Sequence, residues 1–183
     1  MSRDLSASVV VVTGASSGIG RAAAYAFARE GSRLVLAARS AGPLSTLAEE
    51  IEGMGAAAIA VPTDVRDEAA VQALARAAVE RFGALDVWVN CAGVIAYGRF
   101  EEVPGEVFRA VIETNLFGQV HGARAALERF RAQGSGGALV NLASVWGRVT
   151  TPDVTRTPRA SSRSAPSPKA FAASSRRKAP ASE

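Results

Sequence analysis

Residues 13–20 read TGASSGIG, with Gly14, Gly18 and Gly20 in the turn between a short apolar run and an amphipathic stretch. Glycines there let the chain turn tightly and approach a bulky anion. The helix N-terminus that follows offers unpaired N–H groups and partial positive charge. The chemistry implied is the cradling of a dinucleotide pyrophosphate by Gly14, Ser16, Ser17, Gly18, Ile19 and Gly20. Many strand-to-helix turns are glycine-rich for packing alone, so the trio gains weight only from the repeat around it. Further polar groups sit where strands end: Arg39, Asp64 beside Val65, the NCAG segment holding Asn90, Ala92 and Gly93, and Ser144 in NLASVWG. Asn115 lies between the last two. Singly, each admits a plain reading. Asp64 could cap the helix starting near Asp67, Asn115 could be an amide bonded inside a helix, Ser144 could simply end a strand, and Arg39 could be a solvated loop residue.

The elements that must position these residues are legible as short apolar runs alternating with amphipathic stretches, the pattern of repeated βαβ units. Strands are predicted at 8–13, 33–38, 56–61, 85–90 and 137–143. They are mostly continuous in hydrophobicity, as in a sheet covered on both faces. Helices are predicted at 18–29, 43–52, 67–82 and 104–131. In the last, Val107, Val111, Ile112, Leu116, Val120, Ala123, Leu127 and Phe130 form one stripe predicted to face the sheet. The fold class is α/β, a Rossmann-type doubly wound parallel sheet, over residues 1–150.

TGxxxGxG at 13–20, Asp64-Val65 after the third strand, NCAG after the fourth, Asn115 in the long helix and Ser144 after the fifth strand resemble the short-chain dehydrogenase/reductase family, in order and at family spacing from residue 8 to about 150. The resemblance implies strand order 3-2-1-4-5, with only strands 1 to 5 of the family's seven placed. It implies that the glycine turn holds the pyrophosphate, that Asp64 and Val65 meet the adenine, and that the segment at 90–93 supports the sheet beside the cofactor. The second strand ends in Arg39 with no acid before Glu49. A guanidinium suits a ribose 2′-phosphate, whereas an acid suits the 2′-hydroxyl. NADP is therefore the expected cofactor, with NAD as the alternative, and no metal is expected.

The family's chemistry implies hydride transfer between the nicotinamide and a small carbonyl or alcohol substrate. By resemblance Ser144 bonds the carbonyl oxygen and Asn115 holds a water in a proton relay. A tyrosine should follow the serine by about thirteen residues, with a lysine four further on to lower its pKa. An unaided phenol titrates near about 10 and is a poor base at neutral pH. The chain has Thr157 and Ser161 there, and its two tyrosines, Tyr25 and Tyr97, lie elsewhere.

Composition changes at the same place. Residues 151–183 hold 7 of the 21 Lys+Arg and 2 of the 17 Asp+Glu, so the basic balance belongs to the tail and the first 150 residues are nearly neutral. Five of eight prolines fall there, with seven serines and seven alanines. Such a segment cannot bury a core and is expected to be disordered. Arginine outnumbers lysine 19 to 2, which suggests GC-rich coding DNA, and such DNA read out of frame yields Arg, Pro, Ala and Ser. In one permitted coding of residues 155–171, a single C restored after the codon for Thr155 gives TPYAASKFAVRAFAEG, placing tyrosine at position 157 and lysine at 161. Wobble bases were chosen freely. Yet with a CGN codon for Arg156, Thr157 forces a restored codon ending in AC, which allows only Tyr, His, Asn or Asp. The tail is read as a frameshift product, and the enzyme as impaired.

Two other readings compete. One is a non-catalytic dinucleotide-binding or interaction protein. The other makes the basic tail a nucleic-acid arm, but it has no aromatic residue besides Phe171 and no groove-reading motif, so no nucleic acid is expected. The lone Cys91 allows no internal disulfide, and no apolar stretch suits a signal peptide or a membrane span. A cytoplasmic protein with no membrane partner is expected. Homo-oligomers in this family commonly pack the Asn115 helix against a helix that follows the tyrosine motif; without it, exposed apolar surface and aggregation are expected.

Overall fold

Runs of β-branched and apolar residues with no polar alternation fold as strands buried on both faces. The computed structural model describes residues 5–98 and 100–144. It places β1 at Val9–Thr13, α1 at Gly18–Arg29, β2 at Arg33–Ala38, α2 at Ala41–Gly53, β3 at Ala58–Pro62, α3 at Glu68–Phe82 and β4 at Val87–Asn90. There follow α4 at Gly105–Ile112, a π-helical segment at Glu113–Phe117, α5 at Gly118–Ala132 and β5 at Ala138–Asn141. The five strands form one parallel sheet in the order β3-β2-β1-β4-β5, as the resemblance implied. The tail at 151–183 and positions 157 and 161 lie outside the described residues.

Alternate side chains of the strands divide between two cores. Val9, Val11, Val35, Ala37 and Trp88 pack with Leu74, Ala75 and Ala78 of α3 and Ala125, Ala126 and Phe130 of α5. Val10, Val12, Leu34, Leu36, Val87 and Val89 pack with Ala24 and Ala28 of α1 and Leu44, Leu47 and Ile51 of α2. Each large aliphatic side chain so buried contributes about 1.5–3 kcal/mol of transfer free energy. The helices thus hold the carboxyl ends of the strands at one edge of a three-layer sandwich, where the site lies.

Helix ends follow local chemistry. Asp67 precedes α3, and its Oδ1 accepts hydrogen bonds from Ala69 N at 2.9 Å and Ala70 N at 3.3 Å, capping the first turn. Asp67 is therefore the cap, and the plain reading of Asp64 as a cap fails. Helix α2 begins two residues earlier than predicted, because Pro43 in the first turn lacks only an N–H that has no helical partner there.

The stretch predicted as one helix at 104–131 is interrupted by the π-helical segment, and its apolar stripe meets the core only at its C-terminal end, where Phe130 is buried and Leu127 packs against the same cluster. Ile112, Leu116 and Val120 are exposed, Leu116 at 54%, while α5 is buried through Gly118, Gly122, Ala125, Ala126 and Phe130. The reason is closeness. A Cβ on Gly122 would stand 2.6 Å from Trp88 Nε1, and one on Gly118 would stand 2.6 Å from Val65 Cγ2. Small residues take most of the packed face, with Phe130 beside them, and the large side chains of Ile112, Leu116 and Val120 are left outside.

Candidate functional site

At a point where strand order reverses, neighbouring loops leave the sheet in opposite directions and open a crevice at the carboxyl ends of the strands. Here β1 is that point, between β2 and β4, and a cleft of about 420 Å³ opens there. Its walls come from the turn after β1, from Ala38, Arg39 and Ser40 at the end of β2, from Thr63, Asp64 and Val65 after β3, and from residues 91–94 after β4.

The first turn is shaped by contact. Gly14 has φ +67°, and a Cβ on it would lie 2.7 Å from Ala92 Cα and 2.9 Å from the carbonyl carbon of Cys91. The turn after β1 and the exit of β4 therefore touch backbone to backbone, which only glycine permits. Ser17 caps α1 without a side-chain hydrogen bond to the helix, so its hydroxyl takes none of the first-turn N–H groups. Gly18, Ile19 and Gly20 line the cleft at that helix end. Open N–H groups, a glycine-lined floor and a helix dipole fit a pyrophosphate.

The loop after β4 is held by side chains from two elements, β1 and the π-helical segment. Thr13 Oγ1 accepts hydrogen bonds from Cys91 N and Ala92 N, both at 3.2 Å. Asn115, in the π-helical segment, uses both ends of its amide on one residue: Oδ1 accepts from Val94 N, and Nδ2 donates to the Val94 carbonyl, each at 2.8 Å. Asn90 is 1% exposed and stands behind the wall. Its Oδ1 accepts from Trp88 Nε1 at 2.8 Å, while Nδ2 donates to Asn141 Oδ1 at 2.8 Å and to the Gln119 carbonyl at 3.2 Å. It ties β4 to β5 and α5.

The wall after β3 is fixed in the same way. His121 Nδ1 lies 2.9 Å from the Val65 carbonyl. A carbonyl only accepts, so that nitrogen carries the proton. Asp64 is gripped by Arg66, whose Nη2 lies 2.6 Å from Oδ2 and whose Nε lies 3.1 Å from Oδ1. That side-chain bonding holds the Asp64 carboxyl below its ordinary range against the opposing effect of burial, and the charge of Arg39 adds to the lowering. Burial pushes the Cys91 thiol up, which keeps it neutral.

The cleft gathers Gly14, Ser16, Ser17, Gly18, Ile19, Gly20, Arg39, Asp64, Val65, Ala92 and Gly93 on one surface. Asn90 lies behind that surface. Thr114 lines it where the Asn115 side chain turns to Val94, and Leu142 lines it while Ser144, exposed, does not. Sequence reading missed Thr13, Gln119 and His121 as supports. Gln119 Nε2 donates to the Leu142 carbonyl at 2.9 Å, and its partner, like that of His121, is a backbone group far along the chain that no local pattern reveals. Among the described residues no cluster of His, Cys, Asp or Glu could hold a metal, and no helix is long and apolar enough to cross a membrane.

Comparison with known proteins agrees with this geometry. The family model described as short chain dehydrogenase matches residues 8–156. An L-rhamnose 1-dehydrogenase (NAD(P)(+)) of Azotobacter vinelandii is 45% identical over 141 residues, covering 74% of this chain and 55% of the relative. An uncharacterized oxidoreductase of Bacillus subtilis is 40% identical over 139 residues, covering 76% of this chain and 39% of that one. The crystal structure of a short chain dehydrogenase/reductase from Burkholderia phymatum in complex with NAD superposes with a TM-score of 0.81 at 38% identity, covering 84% of this chain and 55% of the other. The chain spans about half the length of the relatives it matches.

Proposed function

The chain belongs to the short-chain dehydrogenase family, and on that premise we propose that its cleft takes NADP(H) and that the chain binds this dinucleotide without transferring hydride efficiently. The observation that carries the binding half is Arg39 on the cleft wall, on the same surface as the Gly18 to Gly20 helix end. The helix end suits a pyrophosphate, and a guanidinium at the end of β2 suits a 2′-phosphate. The nicotinamide, when bound, supplies the hydride donor or acceptor. The chain's own residues bind and orient: Asn115 and Thr13 fix the loop that passes the cleft, and His121 fixes Val65.

The catalytic half rests on Thr157 and Ser161, which stand where the family's chemistry needs a lysine-tuned phenol. Loss of a general acid/base typically costs about 10²- to 10⁴-fold in rate. The parent protein is proposed to act on a small carbonyl or alcohol, and this tail to come from a shifted reading frame. In support, the family match ends at residue 156, one position past the codon where the restored base falls. The test is turnover of this chain beside one translated with a single base restored before codon 156. The panel is ketones and alcohols, including the L-rhamnose named for one relative, each with NADP(H). The restored chain should turn over at least one substrate and this chain should not. Comparable turnover by both would overturn the proposal.

A further inference from the structure

Arg39, Asp64 and Arg66 form an uneven triad. Among the described residues Arg39 makes no hydrogen bond or ion pair, although its charge acts on the Asp64 carboxylate. Asp64 is instead held by Arg66 through a fork of charge-assisted bonds, with Nη2 to Oδ2 at 2.6 Å and Nε to the two carboxylate oxygens at 3.0 and 3.1 Å. The Arg66 backbone N–H adds a fourth at 3.0 Å. An arginine fork on a carboxylate fixes orientation as well as charge. Asp64 and Arg39 both line the cleft. An unclamped carboxylate there would have two effects on a 2′-phosphate: it would compete for Arg39, and it would repel the phosphate directly.

We propose that Arg66 is a positioning residue for cofactor choice: by gripping Asp64 it keeps Arg39 free to pair with the 2′-phosphate of NADP(H). The proposal rests on the reading of Arg39 as the 2′-phosphate partner, and it deepens that reading. A contact of Asp64 with the adenine, common to both cofactors, would cancel in the ratio of their affinities. The ratio therefore isolates the effect at the 2′-position.

The test measures Kd for NADPH and for NADH, by fluorescence titration, on the full 183-residue chain and three variants. Arg39→Ala should abolish the preference for NADPH. Arg66→Ala should lower the preference about two- to fivefold, the range of an exposed ion pair redirected rather than removed. Arg66→Ala combined with Asp64→Asn should restore it, because the neutral amide no longer competes for Arg39. A merely structural role for Arg66 would weaken both cofactors together and would not be rescued at Asp64. Both side chains are partly solvent-exposed, at 40% and 32%, so the variants should fold, which circular dichroism checks. If Arg39→Ala leaves the preference unchanged, the 2′-phosphate reading fails and takes this proposal with it. If Arg39→Ala abolishes the preference but Arg66→Ala keeps it, or the double variant stays as low as the single, only the role of Arg66 is overturned.

Discussion

Thr13→Val removes one hydroxyl from the floor of the site while keeping its shape. Thr13 is 1% exposed, and Oγ1 accepts from the N–H groups of Cys91 and Ala92 at 3.2 Å each. Its own proton points to the Val89 carbonyl at 3.4 Å, a weak bond at best. Valine fills the same volume, so no cavity term enters. Two N–H groups lose their acceptor. A buried donor left unsatisfied costs about 1–3 kcal/mol, but Cys91 and Ala92 are only half-buried and water can reach them in part. The pair should therefore cost about 1–3 kcal/mol together rather than twice that. The loop it frees passes the cleft, so NADPH affinity should fall about three- to tenfold, in proportion to the ordering lost. Urea unfolding gives the first quantity and fluorescence titration the second. Thr13→Ser, which keeps the acceptor, should retain affinity within about twofold. A Thr13→Val chain with unchanged unfolding midpoint and unchanged affinity would refute the role assigned to this hydroxyl.

Asp67→Ala removes the cap of α3 and should cost about 1 kcal/mol, lowering the melting temperature while leaving the NADPH:NADH ratio untouched; the two are read by thermal unfolding and by titration. The Asp64 carboxyl has a folded pKa below its unfolded value, through Arg66 first. Its contribution to stability is therefore present above about pH 4 and is lost as pH falls through the lowered folded value. Unfolding curves taken down the acid limb should show less acid sensitivity in Arg66→Ala than in the parent chain, and identical limbs would contradict the assignment. The face of Ile112, Leu116, Phe117 and Val120 is exposed, so Leu116→Lys should raise the soluble fraction on centrifugation after expression.

The strands were legible because a doubly covered parallel strand must be apolar throughout, as residues 9–12 are in VVVV, and nothing else in so short a run competes with that reading. The glycine turn was legible because a tight turn beside a neighbouring backbone has one chemical solution at Gly14. The long helix was misread for an opposite reason. Its largest apolar residues form a regular stripe, but Gly118 and Gly122 let α5 approach Val65 and Trp88 so closely that small residues carry the burial. Hydrophobic periodicity weights size, and here the packed face is mostly small, Gly118, Gly122, Ala125 and Ala126 sharing it with Phe130. Nearness to α3 left capping open as the plain alternative for Asp64, whereas Asp67, one residue before Glu68, has the geometry for it. Thr13, Gln119 and His121 escaped notice because each supports the site through a bond to a loop backbone 23 to 79 positions away.

In the proposed function a cleft built by the β1 turn, Arg39 and the β4 loop binds NADP(H), while Thr157 and Ser161 leave the chain without efficient hydride transfer. The most direct measurement is a titration of the purified 183-residue chain with NADPH, followed by nicotinamide fluorescence. Binding should saturate at one site, be displaced by adenosine 2′,5′-bisphosphate, and vanish in Gly14→Val, whose added side chain must collide with the backbone of Ala92. A chain that is folded by circular dichroism yet shows no saturable binding, or binds equally well with valine at that turn, would contradict it.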